Sequence, residues 1–272
     1  MAIGHHSILG IATFGYLLLF ILHVFYCATR RERVISFIWV MFSVTFGLHT
    51  AGLLLRWVES YMMNIGHAPL SNFYESLIVF AWSISLILLI LKKRITYPFI
   101  TMGSNLIALG FMAYGSLSPS VVRTIQPLIP ALQSNWLHIH VITCFMAYAS
   151  FAVSFICGIV LLLTWKGIVP PKEKLEEINY TSIMIGFSML SAGILTGAVW
   201  AHYAWGSYWS WDPKETWSLI TWIIYALILH ARFMKGWGGT RIAVLSIVGF
   251  ISVLFTYFGV NFILTGLHSY AT

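Results

Sequence analysis

The chain alternates between long apolar stretches and short polar connectors. Eight stretches stand out, at about 7–28, 34–55, 74–91, 95–116, 136–164, 181–200, 216–234 and 242–265. Each approaches the roughly 20 residues that a helix needs to cross a bilayer. The runs are continuous rather than alternating at every second residue, which excludes a transmembrane barrel and leaves helices as the way to satisfy the backbone in lipid. The expected fold class is an all-α integral membrane protein of about eight transmembrane helices. The longest connectors, 56–73 and 117–135, are too short to hold a core, so residues 1–272 are expected to form a single polytopic membrane domain. The first of these connectors carries Trp57, Tyr61 and His67 and is expected to lie along the membrane interface. The segment KGIVPPKEKLEE (166–177) is expected to be a charged loop, with Pro170 and Pro171 stopping the fifth helix.

Composition agrees with this pattern: 59% of the residues are hydrophobic and 8% charged, against about 25% charged in soluble domains. The net charge of +7 would suit nucleic acid, but its placement points elsewhere. Arg30, Arg31, Arg33, Lys92, Lys93, Arg94, Lys166, Lys172, Lys174, Arg232, Lys235 and Arg241 fall in alternate connectors. Only Arg56, Arg123 and Lys214 fall in the others. By the positive-inside rule both termini lie on the outer side, and no nucleic-acid partner is implied. The opening MAIGHHSILG has no basic residue before its apolar run and is expected to be a retained first span. Cys27, Cys144 and Cys157 are far apart, with no Cys-x-x-Cys to support a thiol relay or a structural zinc site.

Residues 205–215 read WGSYWSWDPKE, and five of the 12 tryptophans fall between 205 and 222: Trp205, Trp209, Trp211, Trp217 and Trp222. An interfacial aromatic belt is one reading of them. The other is a platform for a planar, apolar macrocycle: were the segment helical, Trp205, Tyr208 and Trp209 would share a face by their i, i+3, i+4 spacing. Asp212, Pro213 and Glu215 have the spacing of a capping box with proline at the first helical position, and are assigned first to architecture.

Ionisable residues inside spans are functional candidates by default. His140 lies near the outer start of the fifth span and His268 just beyond the outer end of the eighth, with the aromatic segment at the same depth. Two imidazoles beside an aromatic surface suit bis-histidine ligation of haem iron. His230 and His23 lie toward the inner side and form a second candidate pair. His138 and His202 are rivals to His140, His49 and His67 are also outer, and His5 and His6 are expected to be plain terminal residues. Spacing does not choose among them.

The run WGSYWSWDPKETWSLITW (205–222) closely resembles the signature of the haem-handling WWD membrane proteins. Its DPKE ending resembles the CcsA (ResC) branch, which serves System II cytochrome c biogenesis. APLSNFYESLIVFAW (68–82), WLHIHVITCFMAYASFA (136–152), ILHARFMKGW (228–237) and YFGVNFILTGLHSYA (257–271) resemble further blocks of that family. The resemblance implies a holocytochrome c synthase (haem lyase) subunit that exports haem b and presents it for thioether attachment to the Cys-x-x-Cys-His of apocytochrome c. It implies a CcsB/ResB partner in a bacterial plasma membrane or a plastid thylakoid membrane. His140 and His268 would be the outer axial ligands and His230 an inner ligand, its mate supplied by the partner or by His23. Residues 200–215 would form the outer haem-binding segment, with Trp205, Tyr208, Trp209, Trp211 and Asp212 against the haem. No residue of the chain is expected to act as a nucleophile. A CcmC-like haem carrier without ligase activity is the alternative.

Overall fold

The computed structural model describes residues 4–95, 98–163 and 172–264, which contain eight helices long and apolar enough to cross a membrane. They are α1 (His5–Thr29), α2 (Glu32–Met62), α3 (Phe73–Ile90), α4 (Pro98–Leu117), α5 (Asn135–Leu162), α6 (Lys172–Trp205), α7 (Pro213–Lys235) and α8 (Gly239–Leu254). A π-helical turn, Phe255–Gly259, carries α8 on to a last turn, Val260–Phe262. No strand occurs among the described residues. The protein is an all-α integral membrane protein. Its helices form two compact units, Met1–Leu128 and Ile129–Thr272.

In the first unit α1 packs on α2 and α4, and α3 on α4. The buried face of α1 runs His5, Leu9, Ala12, Tyr16, Leu19, His23, and that of α2 runs Ile38, Phe42, Thr45, His49, Gly52, Arg56, Ser60. Steps of three and four residues make each a single stripe. The α2 stripe continues through Arg56 and Ser60, so the helix runs to Met62 instead of ending near 55 as expected. Trp57 and Tyr61 therefore sit on its exposed side, not in a loop. Asn64 and Gly66, at φ 57° and 68°, turn the chain toward α3.

At this end of the unit lies a buried charge network. Arg56 donates to Glu75 Oε1 from Nε (2.9 Å) and Nη2 (2.8 Å). Its Nη1 donates to His5 Nε2 (2.8 Å) and to the Arg123 carbonyl (2.9 Å). His5 Nδ1 pairs with Glu59, and Glu75 Oε2 accepts from Ser71 N (2.7 Å) and Oγ (2.8 Å). His5, expected to be a plain terminal residue, is thus only 4% exposed and part of a core ion cluster. The partners that explain this lie on other helices, where local sequence does not reveal them.

In the second unit α5 packs against α6 and α8, and α7 against α6 and α8. Asn179 ties three of these helices together: its Oδ1 accepts from Ser154 Oγ (2.6 Å) and its Nδ2 donates to Ser246 Oγ (3.1 Å). Interhelical polar bonds of this kind reinforce packing where lipid supplies no hydrophobic drive. Residues 172–177, expected in a loop, open α6 instead. Glu176 in that first turn accepts from Arg232 Nη1 (3.1 Å) and Gly239 N (2.7 Å), anchoring it. Lys166, Pro170 and Pro171 lie outside the described residues.

Candidate functional site

The aromatic segment joins two helix ends, and its conformation follows from the residues at those ends. Gly206, in the left-handed region at φ 76°, donates its N–H to the His202 carbonyl (2.9 Å) and ends α6 at Trp205. Asp212 starts α7: its Oδ1 accepts from Lys214 N (2.9 Å), while Glu215 Oε2 accepts from Asp212 N (3.2 Å) and Ser210 N (2.8 Å). The capping box expected from Asp212, Pro213 and Glu215 is present. Between these ends the chain is non-helical, and Trp211 itself lies at φ 59°. Trp205, Tyr208 and Trp209 therefore do not share a helix face, and the helical platform is not formed.

The rings pair differently. Tyr208 stacks on His202 (centroids 4.2 Å apart, 4° between planes). Trp205 meets Trp200 edge-on (4.8 Å, 65°), and Trp200 stacks against His140 (5.8 Å, 17°). Trp209 and Trp211 are perpendicular neighbours (5.7 Å, 89°). Tyr208 and Trp211 present 57% and 68% of their surface. The segment thus has a seated half that leads back to His140 and an open half that can receive a flat ligand.

His140 is held by α6. Its Nδ1 lies 2.7 Å from the Gly193 carbonyl. A carbonyl only accepts, so Nδ1 carries the proton and Nε2 the lone pair, the tautomer a metal-binding imidazole needs. Glycines make the approach possible. A Cβ on Gly197 would lie 2.6 Å from His140 Nδ1, and one on Gly193 2.7 Å from Cys144 Sγ. Gly193, Gly197 and Trp200 were not among the residues singled out from the sequence, although Gly-x-x-x-Gly is the spacing that lets two spans approach closely. Gly197→Ala should push the imidazole off the Gly193 carbonyl. Haem retention by the purified protein should fall about 10- to 100-fold, as when metal-orienting partners are lost, with helix content by circular dichroism unchanged.

The other candidates separate. His268 lies outside the described residues. Lys214 Nζ donates to Asn261 Oδ1 (2.8 Å), which ties the start of α7 to the last described turn before it. His230 is exposed near the end of α7. His23 is fully buried in the first unit, with Nδ1 on the Leu19 carbonyl (2.7 Å) and Nε2 on Thr101 Oγ1 (2.9 Å). Both its nitrogens are engaged, so ligation would break one of these bonds. His67 is held likewise, between the Ala68 and Gln126 carbonyls. Asp212 is 7% exposed and committed to the cap. Asp212→Ala should cost about 1 kcal/mol, read as a lower melting temperature in detergent. Asp212→Asn keeps the accepting oxygen and should recover most of it.

The fold and site define a polytopic helical membrane protein with an aromatic segment and a tautomer-fixed histidine at one end of a helix pair. The chain belongs to the CcsA family of cytochrome c biogenesis proteins. The family described as Cytochrome C assembly protein matches residues 70–268. The cytochrome c biogenesis protein CcsA of Synechococcus sp. (strain CC9605) is 36% identical over 96% of this chain and 95% of its own. That of Chlamydomonas reinhardtii is 44% identical over 80% of this chain, which spans 64% of its length. Among solved structures, Cytochrome c Heme Lyase CcmF shares the fold at a TM-score of 0.74 and 15% identity. That match covers 94% of this chain and 47% of CcmF.

Proposed function

We propose that this cytochrome c biogenesis protein is the membrane subunit of a System II cytochrome c synthase. It moves haem b, its substrate, to the outer face and presents it for attachment to apocytochrome c. The observation that carries the reading is the fixed His140 tautomer beside the Trp200–Trp205 pair. An imidazole with Nε2 as its lone-pair nitrogen, stacked on buried Trp200, which meets half-buried Trp205, suits an iron macrocycle on both counts. His140 and His268 are the axial pair in this reading, and Trp205, Tyr208, Trp209 and Trp211 contact the ring. Asp212 acts by fixing where that segment ends. Both termini lie outside, in a bacterial plasma membrane or a thylakoid membrane.

The reaction asks little acid–base chemistry of the chain. Each substrate S–H adds across a haem vinyl group: the sulfur bonds one carbon, the hydrogen goes to the other, and nothing is released. The attacking sulfurs belong to the Cys-x-x-Cys-His of apocytochrome c, so this chain contributes positioning and exclusion of water. The histidine of that motif then displaces one axial imidazole and frees the product.

His230 is the inner ligand, completed by a CcsB/ResB partner. It is exposed on α7 near Leu227, Phe233 and Met234, which present 62%, 67% and 72% of their surface. A bare imidazole facing lipid is costly, and a second subunit would cover it. His230→Ala should remove the inner haem and so lower the haem content of the complex with the partner, while leaving assembly of the two chains intact on co-purification. Co-expression of the chain with partner and apocytochrome c tests the whole reading. Covalent cytochrome is expected, and haem that stays non-covalent would make the chain a carrier.

A further inference from the structure

A cleft of about 590 Å³ opens at one end of the first unit, among the start of α1, the start of α3 and the segment that follows α4. Helix ends meet here, at the level where a bilayer places its head groups. His6, Tyr74, Ser116, Arg123 and Thr124 line the cleft, and all five side chains can donate hydrogen bonds. No acidic side chain among the described residues lines it.

Two of these donors are fixed in place and incompletely used. Arg123 donates to two carbonyls at the end of α4, from Nε to Gly115 (3.0 Å) and from Nη2 to Ser118 (3.1 Å). A cation suits the negative end of a helix, which accounts for where the guanidinium sits but leaves part of its donor fork unused. Arg56 is neutralised by Glu75, and His5 pairs with Glu59. No carboxylate pairs with Arg123 among the described residues. Tyr74 is 3% exposed. The Arg56 guanidinium lies over its ring, 5.1 Å from the centroid, and a Cβ on Gly115 would lie 3.4 Å from its Cδ2. The ring is thus packed into position, yet the Tyr74 hydroxyl makes no hydrogen bond among the described residues. A buried hydroxyl without a partner is costly, and a ligand oxygen in the cleft would satisfy it.

An unpaired guanidinium beside hydroxyl and imidazole donors selects an oxyanion, and the planar fork of arginine matches phosphate. The membrane supplies phosphate at this depth. Leading away from the cleft, α1 carries Gly10, Phe14, Leu17 and Ile21 on one face by steps of three and four residues. Phe14 and Ile21 present 72% and 54% of their surface, so this face can take a hydrocarbon chain. We propose that the cleft holds the phosphate of an anionic phospholipid, gripped by Arg123 and Tyr74, with an acyl chain along the Gly10–Ile21 face of α1. With no carboxylate in the lining, a head group that also carries an ammonium has nothing to pair with. Basic pockets between membrane helices recognise lipid head groups in this way. The site lies wholly in the first unit and uses none of the haem ligands.

Native mass spectrometry of the full-length chain, exchanged into detergent with phosphatidylglycerol or phosphatidylcholine of the same acyl chains, tests this. Phosphatidylglycerol should be retained about tenfold more tightly than phosphatidylcholine, the scale of one hydrogen bond to a charged group. Arg123→Gln should abolish the preference. Gly10→Phe should lower retention as much, because a Cβ on Gly10 meets nothing within 4 Å and the new ring enters the cleft without displacing the helices. Arg30→Gln, which removes an exposed cation at the far end of α1, should keep the preference. Equal retention of the two lipids by the wild-type chain overturns the proposal, whether or not any variant folds. An equal loss in Arg30→Gln and Arg123→Gln also overturns it, since the attraction would then be diffuse. Binding of inorganic phosphate in place of lipid would assign the cleft to a soluble phosphate and overturn it as well.

Discussion

Replacing His140 with alanine should lower haem retention by the purified protein about 100-fold or more, beyond the 10- to 100-fold typical of losing an orienting partner. The reasoning rests on what α6 does to this side chain. The Gly193 carbonyl accepts from Nδ1–H and leaves Nε2 as the lone-pair nitrogen. Trp200 stacks on the ring, and its own Nε1–H is tied to the Ala131 carbonyl (2.8 Å). The imidazole is therefore aimed before any ligand arrives, and little entropy remains to be lost on binding. Alanine removes the ligand but leaves the groove of Gly193 and Gly197 intact, so the helix pair should persist. Haem quantified per polypeptide after purification measures the loss. The yield of covalent cytochrome c should fall with it. Retention at the wild-type level would remove His140 from the site.

Arg56→Leu should be the most destabilising single change in the first unit, at about 3–5 kcal/mol, the usual cost of removing one partner from a buried ion pair. Glu75 and Arg56 are each 1% exposed and 2.8 Å apart. Without the guanidinium, the Glu75 carboxylate keeps only Ser71 as a donor, and His5 Nε2 and the Arg123 carbonyl lose theirs. The cost reflects the stranded charge more than the pair itself. Arg56→Leu with Glu75→Leu should therefore be far less harmful than Arg56→Leu alone. Denaturation in detergent micelles measures both. Equal melting temperatures for Arg56→Leu and the wild type would mean that the cluster does not hold this end of the unit together.

The spans were legible because hydropathy along a chain reports directly on what lipid must surround. Their ends were less so. At 56–62 helix continues because Arg56 and Ser60 extend a buried stripe whose partners are on α1 and α3, and a polar residue in isolation reads as a connector. At 172–177 charged residues read as loop, yet Glu176 is paid for by Arg232 and Gly239 sixty residues away. The candidate site divided in the same way. The Asp212 cap is a local rule and was read correctly from four residues. The ring arrangement was not, because Gly206 breaks the helix that the platform assumed. That signal was available in sequence, since a glycine directly after a helical run commonly ends it. What holds His140 could not be read, because it depends on a carbonyl and two glycines brought opposite it by packing.

In the proposed function this chain presents iron-bound haem between His140 and His268 beside the aromatic segment. The optical spectrum of the chain purified without a partner, so that the inner site lacks its second ligand, tests this most directly. The wild-type chain should show the Soret and α bands of a six-coordinate, bis-histidine haem, and the His140→Ala, His268→Ala double variant should lose them. An unchanged haem spectrum in that double variant would contradict it.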